Sequence, residues 1–208
     1  MKKKCALLLF SLLAVTLTAA EKNIQFPSPD KKGGMPLNQA LNQRRTERKY
    51  QNKALSLQQI GDLLWAANGV NRPNGKRTAP SAVNRQEIVL YYLTKEGAFE
   101  YCPQTHQAKK ITSADLRKWA GVFQAPLYVV LAADLDKAVN RHYAVMDTGY
   151  VSQNIYLHCA STGLGTCAIG SFSRIKGSGK GRKLHDGLKL PKNMEILLTH
   201  SVGILPAQ

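Results

Sequence analysis

The sequence predicts an α+β domain, with helices packed around a mostly antiparallel sheet. Two short and almost wholly apolar runs, "EIVLYYL" at 87–93 and "PLYVVLAAD" at 126–134, read as buried strands. Two more, "GTCAIGSF" at 165–172 and "EILLTHSVGIL" at 195–205, read as closing strands. Segments of helical period, chiefly 57–68 and 135–162, stand among them. The prediction rests on that mixture.

Taken in order, residues 1–20, "MKKKCALLLFSLLAVTLTAA", begin with three lysines and continue apolar to about Leu17. Small residues at Thr18 and Ala20 complete a secretory signal peptide, cut before Glu21 and too short for a comfortable membrane span. Export to the bacterial periplasm is therefore expected, with no membrane attachment after cleavage. Residues 21–35, rich in Pro, Gly and Lys, read as a flexible lead-in, and 36–208 as one domain. Of the 208 residues, 188 would remain after cleavage, enough for a real core.

"LNQALNQRR" at 37–45 predicts a short helix. Ser56 with Gln59 resembles a capping box, Ile60, Leu63, Leu64 and Ala67 give the apolar face behind it, and Gly69 ends that helix. "NRPNGKRTAPS" at 71–81 is a loop, and "SADLRKWAG" at 113–121 is a short helix with Ser113 as its cap. The pattern from Leu135 to Thr162 predicts a long helix stopped by Gly163. Val139, Tyr143, Val145, Met146, Tyr150, Ile155, Tyr156 and Leu157 leave it apolar on several sides, which predicts burial, in part against another subunit.

The net charge of +16 becomes +13 without Lys2, Lys3 and Lys4, as 26 basic side chains then face 13 acidic ones. Such a balance favours anionic partners without choosing among nucleic acid, a membrane surface and a phosphorylated small molecule. Cys102, Cys159 and Cys167 make neither a disulfide framework nor a zinc site; a Cys159–Cys167 bridge and buried free thiols both remain open. "KGSGKGRK" at 176–183 lacks the first glycine and the final Ser or Thr of a P-loop and reads as a mobile basic loop. The five histidines form no close ligand pair, so no metal is expected, and no nucleophile or dinucleotide motif is present.

"RRTERKY" at 44–50 concentrates four cations in seven residues. On a helix Arg44 and Arg48 would share a face, with Arg45 and Thr46 beside them, and their planar donors suit a phosphate. By composition alone a solvated helix end is the better reading. Nucleic-acid contact has only Tyr50 as an interleaved aromatic.

The whole set of motifs in order changes that weighing. "RRTERKY" resembles the N-terminal arginine signature of the nitroreductase family, flavoenzymes that hold FMN. "LLWAANGVNRPNGKRTAPSAVNRQEIVLYYL" at 63–93 and "MDTGYVSQNIYLHCASTGLGTCAIGSF" at 146–172 resemble later family segments, the second being its central helix and the glycine-rich strand entry. "GAFEYCPQTHQ" at 97–107 is similar to the hairpin of the subgroup of thiazole/oxazole-forming dehydrogenases.

The resemblance implies a nitroreductase-like fold and an intertwined homodimer with FMN at its interface. It implies that Arg44, Arg45 and Arg48, with Thr46, contact the FMN phosphate and ribityl end. Pro80, Ser81, Ala82 and Asn84 would approach the flavin ring from the partner subunit, and the backbone of Ala168, Ile169 and Gly170 would reach its N5 edge. The implied reaction is a ping-pong hydride transfer from NAD(P)H, or another donor, to a small organic acceptor such as a nitroaromatic or quinone, with no side-chain acid assigned. The final "SVGILPAQ" carries no cation where many members add one, so either the N-terminal arginines suffice or a loop cation such as Arg77 or Arg182 substitutes. The competing class is an exported basic protein that binds nucleic acid or acidic surfaces without catalysis.

Overall fold

The computed structural model describes residues 23–170 and 179–207. The segment read as a signal peptide and the first part of the glycine- and lysine-rich run, residues 176–178, lie outside them. Seven strands form one sheet in the order β1-β4-β3-β2-β5-β7-β6, every neighbouring pair antiparallel. They are β1 (Ile24–Gln25), β2 (Ile88–Thr94), β3 (Gly97–Cys102), β4 (Gln107–Thr112), β5 (Leu127–Asp134), β6 (Leu164–Ile169) and β7 (Met194–Ile204). The helices are α1 (Leu37–Gln43), α2 (Leu57–Asn68), α3 (Arg117–Ala120), α4 (Arg141–Ser161) and α5 (Gly179–Gly187). The α+β expectation, with a mostly antiparallel sheet flanked by helices, agrees with this architecture.

The central strands explain why they read as unbroken apolar runs. Leu90 and Tyr92 of β2 pack with Leu63 and Leu64 of α2 and Ile155 of α4. Tyr91 and Leu93 turn to the other face, towards Ala120 of α3 and Leu184 of α5. Side chains alternate along a strand, so a sheet covered on both faces needs apolar residues at every position.

Local chemistry sets the helix ends. Ser56 Oγ accepts the Gln59 N–H at 3.2 Å, and Gln59 returns the bond to the Ser56 N–H at 2.9 Å, completing the expected capping box. The long helix begins later than the apolar period suggests. Lys137 and Ala138 donate to the Asp134 carbonyl in a turn, and Asn140 caps the helix by accepting the Tyr143 N–H at 3.1 Å. It ends before Gly163, whose φ of +72° suits the left-handed residue after a helix. Ser113 does not cap α3; Asp115 takes the Arg117 N–H at 3.0 Å instead.

Two loop readings are corrected. Residues 179–183, expected as mobile loop, open α5, which buries Leu184 against α3. The lead-in is anchored: β1 pairs with β4, and Phe26 is buried against Gly61, where an added Cβ would lie 3.0 Å from the Phe26 Cβ.

α4 is apolar on two sides for two purposes. Ala144, Val151 and Ile155 enter the core. Tyr143, Met146 and Tyr150, at spacing i, i+3 and i+7, form another face that is 41–44% exposed. Among the described residues no helix is long and apolar enough to cross a membrane, and no group of side chains could hold a metal ion.

Candidate functional site

The arginine-rich stretch is extended, not helical. α1 stops at Gln43, and Glu47 then donates its N–H to the Thr166 carbonyl on β6 at 2.9 Å, while Gln51 donates to Ile204 of β7 at 2.9 Å. β6 is an edge strand, and hydrogen bonds from its outer side hold the passing chain straight. Gly165 makes the approach close, because a Cβ there would lie 2.9 Å from the Glu47 Cβ and 2.5 Å from Leu205 Cδ2.

The three arginines occupy different surroundings. The Arg44 guanidinium lies 5.3 Å above the ring of Tyr156 and has no carboxylate partner among the described residues. Arg45 pairs with Glu47. Arg48 reaches the thiol of Cys167, where it opposes the upward push that burial gives that group. Arg44 and Arg45 line a cavity of about 580 Å³ with Met35, Tyr156, Thr166 and Leu205.

Tyr156, from α4, connects the two halves of the predicted site. Its hydroxyl accepts the Ala168 N–H at 3.0 Å and meets Thr46 Oγ1 at 3.2 Å. The Ala168 amide is thus engaged inside the protein. Strand alternation then turns the N–H of Ile169 towards β7, where Ile169 faces Thr199. Gly170 follows as an exposed residue at the strand end.

Beneath Tyr156 lies His200 of β7, fully buried, its ring edge-on at 5.2 Å. Ser152 Oγ lies 2.8 Å from its Nε2 and Thr166 Oγ1 lies 3.0 Å from its Nδ1. Burial lowers its pKa to about 3, so the ring is neutral at ordinary pH. Neither Tyr156 nor His200 was singled out from sequence. The available signal was chemical: a tyrosine inside a buried helix and a histidine inside an apolar strand both need polar partners.

Pro80, Ser81, Ala82 and Asn84 do not line this cavity. They form a separate turn against α4, with a single 3₁₀ turn at Ala82–Asn84. Val83, Asn84 and Gln86 have φ of 51°, 56° and 53°, in the left-handed region that a β-branched residue such as Val83 avoids. The turn is tied from three directions. Asp147 Oδ2 accepts the Ala82 N–H at 2.8 Å, Ser81 Oγ accepts the Gln86 N–H at 2.9 Å, and Gln86 Nε2 donates to Gly75 at 3.1 Å. Held strain of this kind is concentrated where function fixes a conformation.

The substitute cations are elsewhere. Arg77 is half-buried and donates to the Ile88 carbonyl at 3.1 Å, beside a different cavity that includes Tyr101. Arg182 lies on α5 and pairs with Asp186 at 3.8 Å. Cys102, Cys159 and Cys167 are free thiols.

The nitroreductase family model matches residues 41–204. The chain belongs to the nitroreductase family. It is therefore an enzyme of the oxidoreductase class. A provisionally assigned nitroreductase of Methanocaldococcus jannaschii, MJ1384, is 28% identical over 169 residues, covering 72% of this chain and 84% of the relative. The crystal structure of a provisionally assigned nitroreductase from Ralstonia eutropha is 33% identical, covers 90% of this chain and 91% of its own, and superposes with a TM-score of 0.81. One from Desulfovibrio desulfuricans, in complex with FMN, shares the fold at 20% identity and a TM-score of 0.60, over 84% of this chain and 88% of its own.

Proposed function

We propose that this nitroreductase-family protein is an FMN-dependent oxidoreductase working as an intertwined homodimer. The observation that carries the proposal is the pair Arg44 and Arg45, which line a cavity of about 580 Å³ with Tyr156, while Thr46 touches the Tyr156 hydroxyl at 3.2 Å. Their donors fit an anionic, hydroxylated chain. Arg44 offers a planar fork with no carboxylate partner among the described residues, and the hydroxyls of Thr46 and Tyr156 stand beside it.

FMN, when bound, supplies the redox chemistry, passing hydride in a ping-pong cycle from NAD(P)H or another donor to a nitroaromatic, quinone or similar acceptor. The protein's part is position and charge. Arg44, with Arg45 competing against Glu47, holds the phosphate, and Thr46 is placed by Tyr156. The end of β6 at Ala168, Ile169 and Gly170 approaches the flavin's N5 edge, with Tyr156 holding the Ala168 amide in place. Arg48 acts through the neighbourhood of Cys167. The turn carrying Pro80, Ser81, Ala82 and Asn84 approaches the flavin of the partner subunit.

The second subunit is supported by the exposed face of Tyr143, Met146 and Tyr150, which lies on the helix that also anchors the turn through Asp147. Single exposed apolar residues are ordinary, whereas a contiguous helix face of this kind marks an interface. We place the enzyme in the periplasm on the strength of residues 1–20, and the thiazole/oxazole dehydrogenase-like hairpin remains a subgroup affinity for β3 and β4. The test is to purify residues 21–208, incubate them with FMN, desalt, and determine mass by light scattering. A yellow dimer is expected; a colourless monomer would overturn the reading.

A further inference from the structure

Glu87 is the first residue after the strained turn, and it is 0% exposed. Neither of its carboxyl oxygens meets a donor side chain; what lies within reach is its own backbone N–H and the Asp147 carboxyl. Arg77 is near enough to act on it but directs Nη1 to the Ile88 carbonyl, its Nε is also without a partner, and Tyr101 is a further titratable group beside that guanidinium. The remaining charged group facing Glu87 is Asp147 of α4, itself 3% exposed. A buried carboxylate with no donor side chain or cation bonded to it is among the costliest groups a protein can hold. A carboxyl in that position is satisfied only by bringing its own proton, and the acceptor before it is the Asp147 carboxylate. Two carboxylates facing one another in a dry interior cannot both ionise, so one proton is retained between them.

Asp147 is also the residue that accepts the Ala82 N–H. We propose that Glu87 and Asp147 are positioning residues that share one proton, and that this proton latches the 81–86 turn in its left-handed conformation. With the proton in place, Glu87 donates to one Asp147 oxygen while Oδ2 holds Ala82. Once it is lost, repulsion falls on the weaker attachment. Glu87 is fixed at the entry to β2, whereas Asp147 reaches the turn through a single hydrogen bond. Val83, Asn84 and Gln86 then lose the restraint that keeps them at positive φ. The proton moves to solvent, and no other co-reactant is required.

Burial and Asp147 push the Glu87 pKa up to about 7, which places the latch within the ordinary working range. Its consequence for cofactor affinity rests on the reading that this turn faces FMN; the proton sharing itself does not.

The experiment is hydrogen exchange of the peptide spanning Ala82, measured without flavin on the full mature chain between pH 5.5 and 8.5 and corrected for intrinsic exchange. FMN titrations follow across the same range. Wild type should lose protection at Ala82 with a midpoint near pH 7. Its FMN affinity should weaken roughly threefold to thirtyfold between pH 6 and 8.5, the range that one linked proton allows. Glu87→Gln keeps a donor for Asp147 at every pH and should stay protected throughout. Should that variant fail to fold, Asp147→Asn retains an acceptor for Ala82 and removes the opposing charge, so it too should show no step. A wild type without a step, or a variant that steps as wild type does, overturns the latch. A step in exchange with unchanged FMN affinity upholds the latch and overturns the placement of the turn at the flavin.

Discussion

Tyr156→Phe isolates the joint between the arginine segment and β6. The substitution keeps the ring beneath Arg44 and against His200, so the contacts at 5.3 Å and 5.2 Å persist. It removes one oxygen that serves two partners, Ala168 N–H at 3.0 Å and Thr46 at 3.2 Å. A net hydrogen bond contributes about 1 kcal/mol, and Ala168 is only part-buried, so water recovers some of the loss. Together the two bonds predict a loss of about 1–2 kcal/mol at the site, which corresponds to roughly a fivefold to thirtyfold rise in the FMN dissociation constant. The assay is quenching of flavin fluorescence on titration with the mature protein, alongside a thermal melt. Tyr156→Leu should be worse, because the cation–π contact contributes a further ~0.5–1 kcal/mol. A Tyr156→Phe protein with wild-type affinity and melting temperature would refute the idea that this hydroxyl organises the site.

Further outcomes follow from three individual residues. His200→Gln should lower stability by about 2–4 kcal/mol in urea unfolding, since it disrupts partners for two buried hydroxyls in a filled core. His200 also sets a pH dependence. Its folded pKa, about 3, lies below the ordinary value of 6.5, so the unfolded chain binds the proton first. Wild-type stability should therefore fall as pH drops from about 6.5 towards 3, by at most ~1.4 kcal/mol per unit from this residue, and the slope should flatten in His200→Gln. Gly165→Ala should cost about 1–3 kcal/mol and weaken FMN binding in the same titration, because the new methyl forces Glu47 and Leu205 away from β6. Val83→Asn should raise the melting temperature through a gain of about 1 kcal/mol, since Asn accepts the left-handed backbone that Val83 resists, and at 82% exposure the Val83 side chain gives up little packing.

What could be read from the sequence was what short-range chemistry decides. The Ser56–Gln59 box, the apolar strands at 87–93 and 126–134 and the stop at Gly163 depend on neighbours within a few residues. The failures have non-local causes. Arg44 to Tyr50 looks helical because nothing within the segment forbids it; the edge of β6, more than a hundred residues later, draws it straight. The start of α4 was misplaced because Leu135 and Val139 continue the apolar period, whereas the cap at Asn140 sets the boundary. Phe26 makes the lead-in part of the core, although its neighbours are prolines, lysines and glycines. At the site, the residue types for anion binding were legible at 44–48, but their unequal surroundings were not. Tyr156, His200 and Glu87 owe their roles to partners on other elements. A sequence shows such groups only as polar atoms in apolar runs.

In the proposed function, Arg44 and Arg45, with Thr46 beside them, hold the phosphate of a flavin nucleotide. Parallel titration of the mature chain with FMN and with riboflavin, which lacks only the phosphate, tests it most directly. The account predicts that FMN binds at least about tenfold more tightly, the equivalent of one charge-assisted phosphate contact, and that Arg44→Ala erases most of the difference. Equal affinity for the two flavins, or a preference for FMN that survives Arg44→Ala, would contradict it.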